Sequence, residues 1–250
     1  MQTVIFAALG VGGATMIGAV IGFLFKNISK RFSDIVLAFT TGIMLAASVI
    51  GLVLPSIEQG GRFAVLITVV GIFAGAWCLN LLDKTVPHLQ KMLGAGTNEG
   101  HGVSADKVLL FVAAIAIHNL PEGIAAGVGF GSESLTEAVL IASGIALQNI
   151  PEGMVIIAPL LAAGVSPKKT LFLSLATGLV EIFGTMLGYF AVSIANALLP
   201  FALSFAGGTM LYVISDEMIP ETHAHGNQRA STYSLLIGFC LMLVCDVLLG

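Results

Sequence analysis

The chain has 250 residues, of which 57% are apolar and only 10% charged, with a formal net charge of −4. A soluble domain carries about 25% charged residues, so the composition excludes an ordinary water-soluble protein and points to a chain whose solvent is lipid. Three cysteines, Cys78, Cys240 and Cys245, lie in apolar segments without forming a CxxC pair and read as core residues.

Eight apolar runs of about twenty residues, each long enough to cross a bilayer, follow one another. They cover 3–25, 35–57, 62–83, 107–131, 135–162, 168–195, 199–219 and 232–249. The expected fold class is an all-α polytopic membrane protein, with 1–250 forming a single transmembrane domain. The runs are continuous rather than alternating, which argues against the ten-residue strands of a membrane barrel. MQTVIFAALG has no basic n-region and reads as the first span rather than a cleaved signal. The connections are short, apart from 84–106 and 220–231.

The basic residues orient the spans. Lys26, Lys30, Arg31, Lys84, Lys91, Lys107, Lys168, Lys169 and Arg229 fall on one side of the eight-span arrangement, and Arg62 alone on the other. The positive-inside rule makes the first side cytoplasmic, with both termini outside and 84–106 a cytoplasmic loop. The glycine pairs Gly18/Gly22, Gly71/Gly75, Gly123/Gly127 and Gly184/Gly188 are spaced for close helix packing.

Ionisable groups at mid-membrane cost roughly 2–3 kcal/mol on insertion scales, so they face the bundle interior and serve a purpose. Glu122, Glu152 and Glu181 fall near the centres of spans four, five and six, with His118, Asn119, Gln148 and Asn149 at similar depth. On a helix Glu122 lies about 40° from His118 and about 60° from Asn119 on the other side. Glu152 stands in the same relation to Gln148 and Asn149. Each glutamate is therefore placed to bridge two subsites, one with the His/Gln pair and one with the two asparagines.

Pro121 and Pro151 sit inside HNLPEG (118–123) and QNIPEG (148–153). A proline lacks the N–H that a helix would use there, so the carbonyls of Ile117 and Leu147 lose their usual partners, and both helices are expected to be broken at this depth. Broken helices at mid-membrane recur at ion sites in transporters. The two motifs lie on adjacent, antiparallel spans, so they are presented in opposite directions, the mark of an inverted repeat.

Carboxylates, amides and one imidazole suit Zn²⁺, Cd²⁺, Fe²⁺ or Mn²⁺ better than Cu⁺. Met44 in span two could add a soft ligand, although a lone methionine is usually packing. The expected activity is transport of a divalent transition metal by a carrier, with a passive channel using the same ligands as the alternative. An intramembrane metalloenzyme would want HExxH, which is absent. The metal is cargo, and no resident cofactor is expected. The expected partners are divalent metal ions and the lipid bilayer, with no nucleic acid.

The doubled motif, HNLPEG followed one span later by QNIPEG, resembles that of the ZIP (Zrt-, Irt-like protein) metal transporters, most of all their short bacterial GufA-like branch. The likeness covers essentially the whole chain. It implies uptake of divalent metal into the cytoplasm across the plasma membrane (the inner membrane in bacteria). It also implies eight transmembrane helices in a 3+2+3 arrangement of inverted repeats, relative movement of two bundles, and a homodimer. By position it implies His118, Glu122, Gln148, Glu152 and Met44 in one subsite. Asn119, Asn149 and Glu181, with the shared glutamates, form the second. Gln148 stands where many members have His, and Asn149 where some have Asp, which implies weaker binding in the second subsite. At the cytoplasmic end of span seven, Asp216, Glu217, Glu221, His223 and His225 could receive metal on exit, with Asp83 and His88, and the resemblance favours Asp216 and Glu217. Outside, Glu133 and Glu137 could attract cations, or form a plain polar loop.

Overall fold

The computed structural model describes residues 1–25, 29–92, 116, 119–130, 135–162, 165–194 and 196–249. All regular structure among them is helical. In chain order the helices are α1 (Gln2–Leu24), α2 (Lys30–Ala46), α3 (Leu54–Gln59), α4 (Ala64–Met92), α5 (119–129), α6 (Leu135–Ala162), α7 (Pro167–Ile194), α8 (Leu199–Val213), α9 (Ile219–His223) and α10 (Gln228–Leu249). Among the described residues, six helical stretches are long and apolar enough to cross a membrane. Large apolar side chains such as Phe6, Phe73, Trp77, Phe172 and Phe183 point outward, while Thr15, Asn119, Glu122, Gln148, Asn149 and Glu181 are buried. Polar inside and apolar outside is the arrangement that lipid imposes.

Local chemistry sets several helix ends. The Ser29 hydroxyl caps α2 by accepting from the Phe32 N–H at 3.2 Å, satisfying one of the orphan donors of the first turn. Pro200 lies in the first turn of α8, where a missing N–H costs little.

The proline of the second motif behaves otherwise than expected. α6 runs unbroken through Pro151, so the break expected there is corrected to a continuous helix. Pro121 lies in helical residues 119–129, and residues 117 and 118 before it lie outside the described residues. A proline removes one hydrogen bond and displaces one carbonyl, but the bonds on either side still hold the rod together. The wide turns lie elsewhere. α2 passes into α3 through a π-helical stretch, Ala47–Val53, and α8 passes into α9 through another, Ile214–Met218. Each is followed by a helix with proline at its second position, Leu54–Pro55 and Ile219–Pro220. The wider π turn accommodates the carbonyl that the proline ring pushes aside, and such turns gather at functional places.

The glycines set which helices touch. α1 packs on α6 and α7, α4 on α8, and α2 on α10 and α6. A Cβ at Gly18 would strike the Ile150 carbonyl in α6, and one at Gly22 the backbone of Met154. A Cβ at Gly184 would strike the Leu120 carbonyl in α5, and one at Gly188 that of Ile124. Ile150 and Leu120 hold the same place in the two motifs. Gly42 of α2 meets Leu235 of α10 as Gly208 of α8 meets Ile72 of α4. Gly12 of α1 and Gly178 of α7 each lie against the other's carbonyl. The two ends of the chain thus repeat one packing scheme at these glycines.

Candidate metal centre

The buried polar residues converge where α1, α5, α6 and α7 meet. α5 contributes Asn119 and Glu122, α6 contributes Gln148, Asn149 and Glu152, α7 contributes Glu181, and α1 contributes Thr15. Close approach is possible because Gly123 sits against the Glu181 backbone and Gly153 against that of Thr15. The last residue of each PEG motif lets a neighbouring helix come in at the level of the carboxylates.

Glu181 is completely buried and saturated with donors. Its Oε1 accepts from the Thr15 hydroxyl at 2.6 Å and from the Asn119 amide, and its Oε2 accepts from the Asn149 amide at 2.6 Å. Asn149 also donates to the Val11 carbonyl at 3.3 Å. Glu122 Oε1 accepts from the Gln148 amide at 2.9 Å. Glu152 is half-buried and lies within electrostatic range of both Glu122 and Glu181.

Each amide spends its N–H on a carboxylate. The atoms left over are Asn119 Oδ1, Gln148 Oε1, Asn149 Oδ1 and Glu122 Oε2, all buried with no hydrogen-bond partner. An unsatisfied buried polar atom costs about 1–3 kcal/mol, more where it carries charge. Four of them on one small set of residues, all oxygen and all acceptors, give the electrostatics of a cation site. Among the described residues, no three His, Cys, Asp or Glu side chains are assembled around one point; the donor set is mixed carboxylate and amide.

The other expected ligands are distributed as follows. His118 lies outside the described residues. Met44 is buried in an apolar cluster with Leu52, Ile145, Leu203 and Met210. Asp216 is exposed and Glu217 half-buried on the π turn after α8. The Asp83 and His88 side chains lie outside the described set. His223 and His225 are engaged elsewhere. His223 bonds to the Ile219 carbonyl and Thr222, both at 2.9 Å, and to Thr232 at 3.2 Å. His225 Nδ1 meets Asp34 at 3.0 Å, and Asn227 donates to the other Asp34 oxygen at 2.9 Å. At the opposite end, a cleft of about 270 Å³ is lined by Glu58, Glu137 and Asp246 with Pro55 and Ile141. Glu133 lies outside the described residues.

Thr15 is a member of the centre that its residue type does not announce. A threonine in a span ordinarily returns its hydroxyl to its own helix, as Thr185 does to the Glu181 carbonyl. The signal that marks it is glycine spacing. Gly12, Thr15, Gly18 and Gly22 in α1 have the spacing of Gly178, Glu181, Gly184 and Gly188 in α7. The pairing of Asp34 with His225 has no such signal, because nothing in the sequence joins residues so far apart.

Residues 91–246 match the family model described as "ZIP Zinc transporter". The chain is similar to "Zinc transporter GufA" of Myxococcus xanthus, 40% identical over 251 residues that cover 98% of each chain. It is 35% identical to "Zinc transporter ZIPB" of Bordetella bronchiseptica over 95% of this chain and 78% of that one. It is also 35% identical to "Zinc transporter ZupT" of Chlorobaculum parvum, over 97% of both.

Proposed function

Since the chain belongs to the ZIP zinc transporter family, a family of multi-pass transporters rather than enzymes, we propose that it carries divalent transition metals, zinc foremost, into the cytoplasm. Cadmium, iron(II) and manganese(II) suit the same donor set. The observation that carries the reading is the buried group of partnerless oxygens on Asn119, Glu122, Gln148 and Asn149.

In this reading Glu122 and Glu152 are shared between two subsites. His118, Gln148 and Met44 complete one, and Asn119, Asn149 and Glu181 the other. The Glu122 side begins with a free carboxylate oxygen. The Glu181 side begins with both oxygens occupied, so a cation must displace amide or hydroxyl donors there. An amide can do this by turning its oxygen toward the ion, which costs rotamer freedom and no desolvated charge. Metal reaches the centre from the side of Glu58, Glu137 and Asp246 and leaves past Asp216 and Glu217, with Asp83 and His88 as further members of the exit site. Alternating access comes from one set of helices moving against the other about the repeated glycine contacts, and the π turns of the α2–α3 and α8–α9 rods supply the bending points. Ionised carboxylates bind the metal, so protons compete with it and uptake weakens as the pH falls. The protein sits in the plasma membrane with both termini outside, as a homodimer.

The test is uptake into proteoliposomes holding the purified chain, with Zn²⁺, Cd²⁺, Fe²⁺ and Mn²⁺ offered separately. Saturable zinc uptake with counterflow is expected. Flux that does not saturate and shows no counterflow would make the protein a channel, and no flux of any of the four would overturn the reading.

A further inference from the structure

The two arms that grip the motifs are alike in backbone and unlike in one side chain. In α7, Gly184 and Gly188 seat the Leu120 and Ile124 backbone, and the Glu181 carbonyl lies against Gly123. In α1, Gly18 and Gly22 seat the Ile150 and Met154 backbone, and the Thr15 carbonyl lies against Gly153. Thr15 therefore occupies in α1 the place that Glu181 occupies in α7. The two meet through the 2.6 Å bond from the Thr15 hydroxyl to Glu181 Oε1. Both are completely buried. One turn before Thr15, the Val11 carbonyl accepts from Asn149, so α1 makes a second polar contact with the same group.

We propose that Thr15 is a positioning residue of the metal centre: its hydroxyl holds the Glu181 carboxylate in the orientation that receives the cation, and α1 is thereby a fourth wall of the site. This rests on the transport reading above. The physical case runs through Glu181. A glutamate has three side-chain torsions, and here the two asparagine donors come from α5 and α6, the helices that themselves supply ligands. When a cation arrives, those amides turn their oxygens to it and release Glu181. Thr15 has no such second duty. Its hydroxyl can continue to donate to one carboxylate oxygen while the other takes the metal, so Glu181 stays fixed at the moment its other partners leave. A hydroxyl serves here where a second carboxylate at the mirrored place would add another negative charge within electrostatic range of Glu122, Glu152 and Glu181.

The experiment is zinc uptake across a concentration series in proteoliposomes. Thr15→Val replaces the hydroxyl by a methyl of nearly the same size. The expected result is an apparent KM raised about tenfold with the maximal rate little changed, since loss of an outer partner of a metal ligand typically weakens affinity by about 10–100-fold. Thr15→Ser is expected to restore the wild-type KM. In a Glu181→Gln background Thr15→Val should add nothing further, because the hydroxyl acts through that carboxylate. Thr15→Ala carries the same expectation as Val and replaces it where Val fails to assemble. An unchanged KM in Val and Ala overturns the proposal. So does a fall in maximal rate alone, a Ser variant that behaves like Val, or a full additional loss in the Glu181→Gln background. Failure of the transport reading itself would show separately, as absence of uptake by the wild type.

Discussion

The α1 arm and the α7 arm hold the two PEG motifs with the same glycine contacts, yet they present different chemistry to the centre. α7 brings a carboxylate, Glu181, and α1 brings a hydroxyl, Thr15, at the matching place. Packing between helices in a bilayer depends on small residues and close backbones. That part of the design is repeated faithfully, because both arms must let a proline-containing helix come in close. Charge follows another rule. Each buried carboxylate added to a shared site raises the cost of ionising the rest, so the repeat is broken at the one position where symmetry would add a fourth. The scaffold is symmetric and the site is not.

The sharpest way to break that comparison is at the glutamates that the two motifs share. Glu122 and Glu152 are counterparts in HNLPEG and QNIPEG, and in the proposed function both subsites use them. Glu122→Ala and Glu152→Ala are each expected to abolish zinc uptake in proteoliposomes. Normal uptake by Glu122→Ala would remove the bridging role, and retention by one variant alone would show that the motifs are not equivalent in function.

Much of this architecture is legible in the amino-acid sequence. The helical membrane class follows from composition, because a chain with so few charges cannot dissolve in water. The motif glutamates stand out because a carboxylate in hydrocarbon needs a reason. Helical spacing sets the two asparagines on one side of Glu122 and Glu152, but it does not say that both amides donate to Glu181, since an amide's rotamer is chosen by whatever faces it. Thr15 is hidden by its own ordinariness: only the shared glycine spacing of α1 and α7 marks it. Pro151 suggests a break that α6 does not have, because the rule for one missing hydrogen bond takes no account of the bonds on either side. The π turns at Ala47–Val53 and Ile214–Met218 are not legible in the sequence, because a wide turn depends on tertiary room, and Pro55 and Pro220 show only that a carbonyl before each must give way.

The second way to test the comparison is through the scaffold. Gly18 and Gly184 are counterparts that lie against Ile150 and Leu120. Neither has room for a Cβ, and the obstacle in each case is backbone. Gly18→Val and Gly184→Val are each expected to destabilise the protein, by about 1–3 kcal/mol or more, as overpacking does. Gly18 is expected to be the more sensitive, because its Cβ would overlap the Ile150 carbonyl oxygen more deeply than one at Gly184 would overlap that of Leu120. Thermal melts in detergent measure this, and a larger loss at Gly184 would show that the α7 arm bears on its motif more heavily than its clearance suggests.

Glu181→Ala comes next. It removes the acceptor of three donors while sparing the two shared carboxylates. Uptake is expected to fall but to persist, with a weakened apparent affinity for zinc. Complete loss, equal to that of Glu122→Ala, would place Glu181 on the same footing as the motif glutamates and erase the distinction between a ready half and an occupied half.

The smallest effect is expected far from the centre, where the same contrast recurs. One end of α8 is tied to α3 by the Ser56 hydroxyl, which donates to the Pro200 carbonyl at 2.6 Å. One end of α2 is tied to the connection between α9 and α10 by Asp34, which is buried and takes His225 and Asn227 on its two oxygens. Both ties fasten one of the two rods that carry a π turn, but the first is neutral and the second uses a carboxylate. His225→Ala leaves that buried carboxylate with one donor fewer, and water entering where the partly exposed imidazole stood replaces some of the loss. The expected cost is about 1 kcal/mol, seen as a lower melting temperature with zinc uptake retained. Asp34→Asn should cost a similar amount, and the double variant less than the sum of the two, since both act on one bond. Additive losses would mean that Asp34 and His225 stabilise this end of α2 separately, and the tie at α2 would then be no counterpart of the one at α8.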